Sequence, residues 1–136
     1  MLVVDASAIT ELLLGRDAGR AVEGWLRDHG FDVHAPHLLD VEVLSALRRL
    51  VASGDASPER AGEALADFLD LSVERYPHDP LALRVWDLRA NFSAYDATYV
   101  ALAEAIADDG VPLLTADGRL ARAVGAHTDV RVLLAA

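Results

Sequence analysis

Short apolar runs alternate with amphipathic stretches along this chain, and that alternation narrows the fold to one class. Leu2-Val3-Val4 is an apolar run closed by Asp5, which reads as a buried strand. Residues 6–14 follow, with Ile9, Leu12 and Leu13 at helical spacing and Gly15 as the stop. Residues 17–29 predict a second helix, with Val22, Trp25 and Leu26 on one face and Gly30 just past its end. Phe31 to Ala35 is the next predicted strand, and Pro36 opens a helix from about His37 to Ser53. Ser57-Pro58-Glu59 has the order of an N-cap, a first-turn proline and an acidic first turn, so a helix to about Asp70 is expected. Leu71–Tyr76 is a third strand, and Asp79-Pro80 starts a helix to about Asn91. Ser93 caps a long helix through Ala107, ended by Asp109-Gly110. Val111–Leu114 is a fourth strand. Asp117 or Thr115 caps a short helix from Gly118 to Val124, and Val130–Leu133 is a fifth strand. Strands separated by helices or helix pairs require crossovers, and crossovers give a parallel sheet covered on both faces. The expected fold is a three-layer α/β/α sandwich around a central, mainly parallel five-stranded sheet, with residues 1–136 forming a single domain.

Composition then removes whole classes of chemistry. A chain of 136 residues that is 53% hydrophobic can bury a real core. Cysteine is absent, which excludes disulfides, thiolate metal sites and cysteine catalysis. All 12 basic residues are Arg, so lysine Schiff bases and the P-loop lysine are excluded too. In so Ala-rich a chain, the Arg bias reads first as codon usage in a GC-rich genome. A net charge of −10 argues against a protein that coats nucleic acid non-specifically. The opening MLVVDAS is expected to be a strand entering a turn rather than a signal peptide. No apolar run is long enough to span a bilayer.

Four acidic residues are the candidate site: Asp5, Glu42, Asp96 and Asp117. In an open parallel sheet, ligands bind outside the carboxyl ends of the strands, where the strand order reverses. Asp5 ends the first strand, and Thr115 and Asp117 follow the fourth. Glu42 and Asp96 lie near the starts of helices, which crossover geometry places at the same edge. At about 4 Å, two carboxylates repel by on the order of 4 kcal/mol at an effective dielectric of 20. A divalent cation relieves that repulsion and is a tool for phosphodiester chemistry.

Each acid also has a plainer role. Asp5 suits a helix cap. Ser93-Ala94-Tyr95-Asp96 fits a capping box with Asp in the usual Glu or Gln position. Asp117-Gly118 fits a turn or cap. Glu42 is harder to dismiss, because Leu38, Leu39, Val43 and Ala46 surround it on its helix; Arg49 or a helix amide would be its ordinary partner. Ser7 and Thr115 are expected to hydrogen-bond the carboxylates or a metal-bound water, as supporting groups. Ser7 has no histidine placed to activate it as a nucleophile. His29, His34, His37, His78 and His127 lack paired metal-ligand spacing and are expected mostly at the surface. Arg48-Arg49 reads as a solvated helix face, and Trp25 and Trp86 as core.

The segments that carry the acids resemble the motifs of a known family. Val3-Val4-Asp5-Ala6-Ser7 resembles the first motif of PIN-domain ribonucleases, particularly VapC-type toxins of toxin–antitoxin pairs. Val41-Glu42-Val43-Leu44-Ser45-Ala46-Leu47 is similar to the second. Tyr95-Asp96-Ala97-Thr98-Tyr99-Val100-Ala101-Leu102-Ala103 resembles the third and most specific, and Leu113-Leu114-Thr115-Ala116-Asp117 the fourth. Their order and separation agree across the whole chain. The resemblance implies a metal-dependent endoribonuclease in which Asp5, Glu42, Asp96 and Asp117 bind Mg²⁺ or Mn²⁺, with Asp5 and Asp96 closest and Ser7 and Thr115 in support. It implies an RNA substrate (tRNA, rRNA or mRNA), a cognate antitoxin protein, a homodimer and a cytoplasmic location away from membranes. The alternatives are a housekeeping PIN nuclease for RNA processing and a non-catalytic interaction module whose acids only cap helices. A phospho-acceptor domain would need an acidic pair at the first strand's end and a lysine after the last strand. An aspartyl phosphatase would need a second Asp where Ser7 stands. Neither pattern is present.

Overall fold

A computed structural model describes residues 1–135; Ala136, the last residue of the expected domain, lies outside the described residues. Among those described, five strands form one parallel sheet: β1 (Leu2–Val4), β2 (Val33–Pro36), β3 (Glu74–Tyr76), β4 (Leu113–Thr115) and β5 (Val132–Leu134), in the order β3-β2-β1-β4-β5. The helices are α1 (Ala6–Leu14), α2 (Asp17–Asp28), α3 (Leu38–Ser53), α4 (Pro58–Asp70), α5 (Ala82–Asp87), α6 (Ala94–Ala105) and α7 (Gly118–His127).

Side chains alternate across β1 and divide the core in two. Leu2 and Val4 point to one face, where they join Ile9 of α1, Val22 and Leu26 of α2, Leu39 and Val43 of α3 and Phe68 of α4. Val3 points to the other, against Tyr99, Val100 and Leu102 of α6 and Leu120 and Val124 of α7. This is the expected three-layer sandwich. Residues Ala97 to Ala103 of α6 are all buried, as in a helix covered on every side. No helix among the described residues is long and apolar enough to cross a membrane.

Several boundaries differ from expectation for local reasons. β2 begins at Val33 because Gly30 (φ 66) and Phe31 (φ 55) both adopt the left-handed conformation as the chain leaves α2. Pro36 does not open α3; it ends β2, opposite Tyr76 of β3. β3 is a short edge strand, and Leu71 instead closes α4 in extended conformation. The expected helix from Asp79 to Asn91 is a 3₁₀ turn over Asp79–Leu81 followed by α5, which gives way to turns at Leu88. Thr115 lies inside β4 rather than after it, and Asp117 caps α7.

Candidate active site

β1 and β4 are neighbours at the point where strand order reverses, so their carboxyl ends open one crevice. Asp5 stands there as the N-cap of α1. Its Oδ1 accepts the Ala8 N–H at 3.0 Å and the Ser7 hydroxyl at 2.7 Å, and its Oδ2 accepts the Thr115 hydroxyl. Ser7 Oγ accepts the Ala116 N–H, and Thr115 Oγ1 accepts the Asp117 N–H, both at 3.0 Å. This network stitches the β1–α1 junction to the β4–α7 junction. Asp5 is 5% exposed, and among the described residues no cationic side chain pairs with it. Burial raises its pKa from 3.8 to about 6, against the pull of the Thr115, Ala8 and Ser7 donors, and the charge of Asp117 adds to the rise.

Glu42, half-buried on α3, accepts the Tyr99 hydroxyl of α6 at 2.7 Å. Its partner is therefore neither of the expected ones, although Arg49 contributes a favourable field. Burial pushes the Glu42 pKa up, and the nearby charge of Asp96 pushes the same way. Burial and the Glu42 carboxylate in turn hold Tyr99 protonated far above the ordinary phenol range, so its hydroxyl is a fixed donor. Tyr99→Phe is expected to cost about 1 kcal/mol at pH 7, because a charged acceptor loses its donor. The Glu42 pKa is raised on folding, so Glu42 protonates more readily in the folded protein. Once it is neutral the donor matters less, and the deficit should shrink as pH falls toward the carboxyl range. Urea unfolding at pH 7 and at pH 4.5 measures this; a deficit that grows at the lower pH would contradict it.

Asp96 sits in the first turn of α6, and its own N–H bonds the Ser93 cap. The capping box is only half formed, because the Asp96 carboxylate turns away toward Arg119. The Arg119 Nη2 lies 3.0 Å from Asp96 Oδ2 and 3.4 Å from Asp117 Oδ2. Asp117 also accepts the N–H groups of Arg119 and Leu120 through Oδ1. Asp5 and Asp117 thus both cap helices while facing the crevice; the plain role and the candidate role coincide.

All four acids line a single cavity of about 680 Å³, together with Ser7, Tyr99 and, toward its mouth, Val41, Arg49 and Tyr95. The donors are carboxylate and hydroxyl oxygens, a set that suits a hard divalent ion. Among the described residues, no three acidic or imidazole side chains are close enough to grip one ion together. Each carboxylate is engaged by a neighbour instead: Ser7 and Thr115 on Asp5, Tyr99 on Glu42, and Arg119 between Asp96 and Asp117. The set therefore fits an ion that keeps most of its own water, as Mg²⁺ does, with few direct protein ligands.

Two residues of the site were not singled out by sequence. Tyr99 had a readable signal, since it lies three positions after Asp96 on the same helix and shares its face. Arg119, two positions after Asp117, carries none. Elsewhere, His34 is not at the surface: it is 6% exposed and bonds Tyr76 and Asp32 across the sheet edge. Trp86 is not core; it is 64% exposed beneath the Arg89 guanidinium.

Comparison with known proteins bears on the same features. Residues 2–126 match the family model described as PIN domain. The chain is 42% identical over 133 residues to Ribonuclease VapC12 of Mycobacterium tuberculosis, covering 98% of this chain and 99% of that protein. It is 45% identical over 132 residues to Ribonuclease VapC1 of the same organism, covering 96% of each. Among solved structures, VapC20 of Mycobacterium tuberculosis, described as a sarcin-ricin loop cleaving toxin, superposes with a TM-score of 0.65. At 18% identity, with 90% of this chain and 95% of that one covered, the last likeness speaks for the fold alone.

Proposed function

The chain belongs to the PIN-domain family, alongside the VapC ribonucleases, and on that premise we propose that it is an endoribonuclease, the toxin of a type II toxin–antitoxin pair, whose site is Asp5, Glu42, Asp96 and Asp117. The observation that carries the proposal is the common cavity: acids from four separate segments line one hollow at the switch point of the sheet. Helix capping alone gives no reason for Glu42 to be there, since it caps nothing.

In this reading Asp5, Asp96, Glu42 and Asp117 hold Mg²⁺ or Mn²⁺, the first two most directly. When bound, such an ion supplies Lewis acidity toward the phosphodiester and the attacking water. The protein's own residues do the rest. Ser7 and Thr115 fix the Asp5 carboxylate by donating to separate oxygens, so its direction is set before any ligand arrives. Tyr99 engages only Oε1 of Glu42, leaving Oε2 to accept a proton from the attacking water. Arg49 and the 61%-exposed Tyr95 suit a phosphate and a stacked base respectively. They offer a local grip on RNA despite the net charge of −10. Val41 and Leu44, exposed on α3, give an antitoxin apolar surface beside the cavity. A homodimeric, cytoplasmic protein working as one domain completes the proposal.

The test is to incubate the purified protein with a mixed RNA pool and sequence the new ends. Cleavage at defined positions is expected with Mg²⁺. Excess chelator should abolish it, and Mn²⁺ should restore it. Undiminished cleavage in chelator would remove the ion from the proposal, and intact RNA under every condition would remove the nuclease.

A further inference from the structure

We propose that Arg119 is a built-in competitor for the divalent ion: one guanidinium nitrogen bridges Asp96 and Asp117, and an ion held by those carboxylates must first displace it. The proposal rests on the reading of these acids as ion ligands. A single nitrogen, Nη2, contacts carboxylates from two different elements, at 3.0 Å and 3.4 Å. It stands where two negative charges would otherwise face each other. The local sequence does not favour a cation there. Arg119 lies in the first turn of α7, where the helix dipole disfavours positive charge, so the acids across the crevice account for the placement. The contact is also easily released. The Arg119 side chain is 68% exposed, whereas Asp96 and Asp117 are 21% and 35% exposed; the guanidinium can swing into water while the carboxylates stay at the cavity. An exposed ion pair of this kind is weak, so the side chain can hold the acids in place without shutting out a doubly charged ion.

The experiment titrates Mn²⁺ alone into chelator-treated protein and follows binding by calorimetry and melting temperature. Wild type, Arg119→Ala and Asp96→Asn are compared with Arg131→Ala, which removes an exposed arginine just before β5, at the sheet edge opposite the crevice. Arg119→Ala is expected to bind Mn²⁺ about two- to fivefold tighter than wild type, the upper range open to a weak exposed pair. Arg131→Ala should change affinity by less than about twofold, as a distant screened charge does. Before Mn²⁺ is added, Arg119→Ala should melt lower than wild type at low salt, since Asp96 and Asp117 then repel. Mn²⁺ should raise its melting temperature by more than it raises that of wild type. Binding lost in Asp96→Asn but equal or weaker in Arg119→Ala sinks this proposal alone. Equal tightening in Arg131→Ala also sinks it, by reducing the effect to net charge. Binding unaffected by Asp96→Asn, or absent from every variant, sinks both the proposal and the reading beneath it.

Discussion

Asp5→Asn is expected to abolish RNA cleavage and, at the same time, to make the chelator-treated protein more stable at pH 7. The first effect follows from removing a proposed ion ligand. Losing even a supporting partner of a metal typically costs ten- to a hundredfold, so a drop beyond about a hundredfold is expected here. The second follows from burial. The carboxyl titrates near 3.8 when exposed and at about 6 in the folded protein, so folding favours its protonated form. This contribution to stability is fully present below pH 3.8 and is lost as pH rises through 6. Above that, a buried charge costs the fold on the order of 3 kcal/mol. Asn is neutral and nearly the same shape, and its side-chain oxygen can still accept from Ala8 as the cap of α1. The variant should therefore gain stability over wild type at pH 7 to 8 and lose that advantage near pH 4. Urea unfolding across that range, beside a cleavage assay, measures both. A variant less stable than wild type at every pH would make Asp5 a structural cap and nothing more, and cleavage at the wild-type rate would take it out of the site.

Gly19→Ala is expected to be the most damaging small change in the chain. A Cβ at Gly19 would lie 2.2 Å from the carbonyl oxygen of Glu11, 2.9 Å from its carbon and 3.2 Å from Leu12 Cα. These are backbone atoms of α1, so no side-chain rotation relieves the clash and the two helices must separate. Forced overpacking of this kind costs about 1–3 kcal/mol, and the backbone contact places this case at the upper end. The melting temperature should fall by roughly 10 °C. Because α1 carries Ser7 and is capped by Asp5, cleavage should weaken as well. Gly24, on the same helix α2, has no atom within 4 Å of a built Cβ. Gly24→Ala should therefore stabilise by about 0.5–1 kcal/mol through helix propensity alone. If the two variants melted alike, close packing of α1 on α2 would not be what requires glycine at position 19.

Much of the fold was legible because its signals are local. The apolar runs Leu2-Val3-Val4 and Leu113-Leu114 could only be buried strands, and Gly15, Gly54 and Ser57 marked helix ends that stand where expected. Boundaries failed where tertiary context overrode pattern. Phe31 looks like a strand residue, yet it is 51% exposed in a left-handed turn. Leu71 to Val73 read as strand, but an edge strand needs only three paired residues here. Trp86 shows the limit of hydrophobicity as a guide to burial: α5 is too short to turn every apolar side chain inward, and the indole lies under Arg89 at the surface. The four acids were legible as a set because each stands at a junction or breaks an apolar face. Their restraints were legible only in part: Ser7 and Thr115 were expected to bond the carboxylates and both donate to Asp5. The contacts of Tyr99 with Glu42 and of Arg119 with Asp96 and Asp117 bring together side chains from different elements, and no pattern along the chain encodes those.

The stitching of β1 to β4 also governs when the site can exist. Thr115 and Asp5 are 110 positions apart along the chain, yet each helps to orient the other's functional groups. Closing so long a loop carries an entropic penalty that only the finished sheet repays. During synthesis, a nascent polypeptide that has exposed β1 through α6 at the ribosome's exit still lacks β4 and the Asp117 turn. The proposed site is therefore incomplete until the fourth strand has emerged and docks beside the first.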